Sequence, residues 1–182
     1  MDGPFYIDSR TPFISGDVAS VTLAVTAKAI VPIANLPVLG SNYFSFVGKA
    51  VRIRLFGRIT SAATPGNGTL SLYWGNGGDA NGTVICASAA HALTANQSNM
   101  SWQADLVVRC RSMGATGTLF GTGRLIYNSA IQTVDQLIPA TVPAASASLD
   151  LTAANVISPQ YLRSGSTAES IQVHDISFEA LN

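Results

Sequence analysis

Apolar and polar residues alternate with a period of two along most of this chain. Val51, Ile53 and Leu55 fall on one side of a run whose other side carries Arg52, Arg54, Phe56 and Arg58, which predicts a half-buried strand. Leu70, Leu72 and Trp74 alternate with Thr69, Ser71 and Tyr73, and Asn67-Gly68 between the two runs predicts a tight hairpin turn. Gly75 to Gly82 reads as a second turn, followed by a short strand from Thr83 to Ala90. Trp102, Ala104, Leu106, Val108 and Cys110 then share one face, with Gln103, Asp105, Arg109 and Arg111 on the other. Gly114 and Gly117 end that strand, and Thr118 to Tyr127 returns. Gly121 and Gly123 sit on the side of Leu119 and Leu125, where missing side chains permit close packing. The 18–33 segment reads as one long strand or two pieces, and Leu149 and Leu151 mark another short strand. At the end, apolar parity flips between Val173 and Ile176, which predicts a β-bulge near His174-Asp175.

About eight strands without a helical period predict an all-β chain, an antiparallel two-sheet β-sandwich. A jelly roll is the economical arrangement for residues 18–182, and an immunoglobulin-like sandwich is the alternative. Residues 1–17, interrupted by Pro4 and Pro12, read as an extended N-terminal arm. Phe5, Tyr6 and Phe13 are costly to leave in water, so the arm is expected to dock on its own subunit or on a partner.

Composition sharpens this picture. The chain has 182 residues, of which 47% are hydrophobic and only 11% charged, against roughly 25% in ordinary soluble domains. Lys occurs only at positions 28 and 49 and Glu only at 169 and 179, so the residues that build helix surfaces are nearly missing. Ten cations balance ten anions, which gives no general attraction to nucleic acid or to an anionic membrane. The first residues carry acids where a secretory leader would carry bases, and the most apolar stretch, 29–40, is broken by Pro32 and Pro37. Cys86 and Cys110 read as two buried free thiols, in keeping with assembly in a reducing cytoplasm, the alternative being a pair across neighbouring strands.

Catalytic and cofactor chemistry finds little support. His91 and His174 have no nucleophile motif beside them, and no cofactor or metal set is complete. Asp79 and Asn81 supply a fragment of a calcium loop without its downstream glutamate, so a tight turn is the expectation there. With Tyr73, they also form the candidate ligand loop of a carbohydrate- or receptor-binding module, such as a phage tail-fibre tip. One cluster stands out. Arg52, Arg54, Arg58, Arg109, Arg111 and Arg124 are six of the ten cations, and all but Arg124 fall by alternation on polar strand faces. If the strands share a sheet, the result is an arginine-rich face suited to an oligomer or partner interface, the alternative being an ordinary solvated face.

Several short stretches resemble tailed-phage proteins that decorate or cement the capsid. They are Thr11-Pro12-Phe13, Phe56-Gly57-Arg58-Ile59 with Thr64-Pro65-Gly66, Gly121-Thr122-Gly123-Arg124, and the stretches that begin at Leu149 and end at Asn182. The resemblance implies a non-enzymatic jelly-roll homotrimer on the outer capsid surface that contacts the major capsid protein, with the arm available for contacts and no catalytic residues.

Overall fold

The computed structural model describes residues 18–128, 133–164 and 169–181. Within them the chain forms strands β1 (Val21–Thr22), β2 (Lys28–Ala29), β3 (Ala50–Thr60), β4 (Asn67–Gly75), β5 (Thr83–Ala87), β6 (His91–Ala92), β7 (Met100–Ser112), β8 (Thr118–Asn128), β9 (Thr133–Ile138), β10 (Val156–Arg163) and β11 (Ser170–Ala180), with one short 3-10 turn at Ile33–Asn35. Six strands make one sheet in the order β1-β11-β3-β7-β8-β9, and five make the other in the order β2-β10-β4-β5, with β6 added on β4. Every pairing is antiparallel. The two sheets pack face to face as a β-sandwich.

The alternation of β3 and β7 translates directly into burial. Val51, Ile53, Leu55 and Ile59 stand beside Leu106, Val108 and Cys110 on the core side of one sheet, while the arginines between them face out. Gly121 in β8 lies so close to β5 of the opposite sheet that an added Cβ would stand 2.3 Å from Cys86 Sγ. Its missing side chain is what lets the sheets approach. The parity flip near the C-terminus is the expected bulge: pairing of β11 with β3 shifts register between Val173 and Asp175.

Two local expectations are corrected, the hairpin at Asn67-Gly68 and the strand at Leu149. Asn67-Gly68 does not close a hairpin between the strands that flank it, because β3 belongs to the six-stranded sheet and β4 to the other, and the two residues begin β4. The connection passes from one sheet to the other, so no two-residue turn can serve it. The 18–33 segment takes the second of its two expected forms, two short pieces with one on each sheet. Leu149 makes only an isolated bridge with Gly117, not a strand. Two strands are not expected at all, because β9 and β10 carry no alternating signal. β10 is buried on both faces, and Pro159 sits within it. The proline is tolerated because its carbonyl accepts the Ile30 amide on the β2 side, so its missing donor also faces that briefly paired edge.

Inward parity also carries polar groups. Tyr127 in β8 donates to the Tyr161 hydroxyl in β10 at 3.0 Å across the sheets, and that hydroxyl lies 3.3 Å from His91 Nε2. Nearby, Arg163 and Glu169 form a buried ion pair at 3.3 Å, their side chains only 5% and 0% exposed. Gly68 leaves room for the Tyr161 hydroxyl, which an added Cβ would approach to 1.8 Å.

Candidate interaction face on the six-stranded sheet

The strands that carry the six arginines do share one sheet, and all six guanidinium groups lie on its outer face. Arg124 joins them. Because Leu119, Gly121, Gly123 and Leu125 take the inward positions of β8, Arg124 points outward and stands beside Asp105 of β7, which is itself opposite Arg54 of β3.

Carboxylates interleave with these cations. Arg52 forms a bidentate pair with Asp105, its Nε donating to Oδ1 at 2.7 Å. Arg124 forms a second bidentate pair with Asp135 of β9, with Nε to Oδ1 at 2.6 Å. The hydrogen bonds from Arg52 and Arg124 hold the carboxyls of Asp105 and Asp135 below their usual range. Arg54 reaches Glu179 at 3.4 Å, and Arg58 donates to the Gln172 side chain at 2.8 Å. Gln172 in turn donates to the Val18 carbonyl at 2.7 Å, which ties the start of the described chain to this face. These pairs are solvent-exposed, so they order the arginines more than they stabilise the fold.

Between the pairs lies a shallow depression of about 310 Å³, walled by Arg54, Arg124, Asp105, Asp175, Phe56 and Ile126. Phe56 is 47% exposed and Leu137, on the edge strand β9, is 76% exposed. The face thus mixes oriented guanidinium forks with accessible apolar groups, the composition enriched in protein interfaces.

The remaining candidates separate from it. Tyr73 is half-buried on the outer side of the five-stranded sheet. Asp79 gives one oxygen to Lys28 Nζ at 2.7 Å and the other to the Ala29 amide at 2.8 Å, while Asn81 Oδ1 accepts the Asn76 amide at 3.4 Å. The buried Gln160 amide bonds Gly78 and Ala80 of the same loop. The Asp79 and Asn81 oxygens are therefore used in fixing the turn, as the tight-turn reading expects. His91 is buried and its pKa is lowered by desolvation, whereas Asp105 and Asp175, far apart in sequence, border the same depression. Both cysteines are free and buried, and burial pushes the Cys86 thiol up to about 12. Phe5, Tyr6 and Phe13 lie outside the described residues.

Sequence reasoning missed the buried Arg163–Glu169 pair. Its signal is parity: Arg163 follows Ile157, Pro159 and Tyr161 on the inward side of β10. No family model, no curated protein and no solved structure matches the chain.

Proposed function

We propose that this chain is a non-enzymatic virion protein that decorates and cements a phage capsid as a homotrimer, with the outer face of the six-stranded sheet as its docking surface. The observation that carries the reading is that face: six arginines, each aligned by its strand, four carboxylates between them, and exposed Phe56 and Leu137 beside a shallow depression. A broad β-sheet surface with ordered forks recognises a carboxylate-bearing protein surface with geometric specificity.

The strand order supports a jelly-roll assignment. The sets β1-β11-β3-β7 and β2-β10-β4-β5 interleave along the chain, which changes sheet at every step from β1 to β4 and again from β9 to β11, with β8 and β9 extending one edge. Such sandwiches have open edges, which closed trimer packing or a capsid lattice protects. On this reading the protein joins the outer surface of a capsid assembled in the host cytoplasm, and its partner is the major capsid protein.

The test is co-sedimentation with purified capsids of the virus that encodes the chain. Wild-type protein is expected to pellet with capsids in a saturable way, and the Arg52→Ser/Arg54→Ser/Arg109→Ser variant is expected to lose most of that binding with its melting temperature little changed. Equal binding of the two proteins, or no binding by either, would overturn the reading.

A further inference from the structure

An edge strand shows a row of unpaired N–H and C=O groups to any other chain, and a two-sheet sandwich has four such edges. Among the described residues, three of them are blunted. β1 and β2 are only two residues long, and β5 is broken by a register shift against β4, with its Ala87 carbonyl taken by the Ala140 amide at 3.1 Å. The fourth edge is covered beside the start of β8, where the Ser146 amide bonds to the Leu119 carbonyl at 2.7 Å and the Leu149 amide to the Gly117 carbonyl at 2.8 Å. Along β9 it is open. β9 runs six residues, Thr133–Ile138, in unbroken register with β8 and carries no lysine, proline or bulge. Its one charge, Asp135, is already held by Arg124, and Leu137 is 76% exposed.

The parity of the hydrogen bonds shows which groups of β9 face outward. In β7 the Cys110 amide bonds to the Lys49 carbonyl at 2.9 Å, on the β3 side, so the odd-numbered residues of 101–109 turn their amides and carbonyls toward β8. Carried through the continuous pairing, Gly123, Leu125 and Tyr127 bond to β9 at Ile138, Gln136 and Val134. The Ser146 bond to Leu119 obeys the same parity. Thr133, Asp135 and Leu137 therefore point their backbone N–H and C=O groups at the open edge, and no described strand other than β8 pairs with β9. On the inward side of the strand, the Gln136 side-chain oxygen is buried and has no hydrogen-bond partner among the described residues.

We propose that β9 pairs with β9 of a second copy of the chain, antiparallel about a two-fold axis at Gln136, so that the six-stranded sheets of the two subunits join into one. Within residues 133–138, two in-phase symmetric registers overlap five residues of each strand. One is centred on Asp135 and sets the two Asp135 carboxylates directly opposite each other, which is unfavourable. The other is centred on Gln136. There, on each side of the axis, Asp135 of one copy and Leu137 of the other exchange two backbone hydrogen bonds, four in all. Gln136 faces its own counterpart, and each side-chain amide supplies the donor that the other's oxygen lacks. A second copy provides this match by symmetry, whereas a foreign strand has no reason to carry an amide at that point. A two-fold contact cannot close a trimer, so it goes beyond the proposed assembly and would join one trimer to the next.

The test uses full-length protein, whose native thiols Cys86 and Cys110 are buried. A Gln136→Cys chain sets two thiols across the axis in a non-hydrogen-bonded pair, where Cα atoms stand about 4.5 Å apart, within the span of a disulfide. Mild oxidation is expected to give a covalent dimer of about twice the 18.9 kDa chain mass. It should form roughly tenfold faster than with Val142→Cys, an 84% exposed position outside β9. Asp135→Cys should link no faster than Val142→Cys. Leu137→Pro, added to the Gln136→Cys chain, removes an edge N–H that the β8 ladder does not use, so it should abolish the advantage with the melting temperature little changed. Three results would overturn the proposal: Gln136→Cys linking no faster than Val142→Cys, Asp135→Cys linking faster than Gln136→Cys, or an advantage that survives Leu137→Pro. A Leu137→Pro chain that fails to fold would contradict the parity assigned to β9 and overturn it as well. The measurement needs no capsid, so it and the docking reading stand or fall independently.

Discussion

Gly121→Ala tests the packing of the two sheets at their closest approach. The new Cβ would meet Cys86 Sγ at 2.3 Å, Cys86 Cβ at 2.8 Å and Ile85 Cγ2 at 3.4 Å, all on the opposing sheet. Overpacking of this kind costs about 1–3 kcal/mol, offset in part by the ~0.5–1 kcal/mol that alanine gains over glycine in the unfolded chain. A net loss of about 1 kcal/mol corresponds to a fall of about 2–4 °C in melting temperature for a chain of this size. Cys86→Ala removes one buried heavy atom and leaves a small void, a loss of about 1 kcal/mol. The double variant relieves the 2.3 Å contact, so it is expected to be more stable than the sum of the single effects by about 1–2 kcal/mol. Thermal and urea unfolding of the four proteins measure this coupling. Additivity within about 0.5 kcal/mol would refute the account of Gly121 as the position that lets β8 approach β5.

Three further outcomes follow from the buried polar groups. Desolvation lowers the His91 pKa below its unfolded value of about 6.5, so the unfolded chain takes up the proton first; stability is full above that value and falls as pH drops through it. Melting temperature measured from pH 8 to 5 should show this loss in wild type and a shallower slope in His91→Gln, and parallel slopes would contradict it. Glu169→Gln breaks the buried pair with Arg163 and is expected to cost about 3–5 kcal/mol, most of it recovered in Glu169→Leu/Arg163→Met; a double variant no better than the single one in chemical unfolding would contradict this. Cys86 and Cys110 should stay unreactive to a thiol reagent at pH 8 until the protein is denatured, and rapid labelling of the native protein would count against their burial.

What the sequence made legible follows from how each strand is solvated. β3 and β7 are buried on one face only, so Val51, Ile53 and Leu55, and likewise Trp102 to Cys110, announce themselves by alternation. The bulge in β11 is visible for the same reason, as a break in that alternation. β10 is covered on both sides and interrupted by Pro159, so it offers neither period nor clean propensity. The Asn67-Gly68 pair misleads because turn chemistry is local, whereas assignment of β3 and β4 to opposite sheets depends on their distant partners, β11 for β3 and β10 for β4. The arginine face was half legible. Parity gave the outward positions, but the matching of Arg52 with Asp105 and of Arg124 with Asp135 required the register between strands. That register also separates the matched centre from the C-terminal end of β7, where Arg109 and Arg111 have no carboxylate partner among the described residues.

The central claim is that the outer face of the six-stranded sheet is a docking surface for a capsid. Its most direct test is the saturable binding of wild-type protein and of Arg52→Ser/Arg54→Ser/Arg109→Ser to purified capsids, with both proteins first matched in melting temperature and native mass. The account predicts that the variant keeps its fold and loses most of its capsid binding. A variant that decorates capsids as tightly as wild type would contradict it.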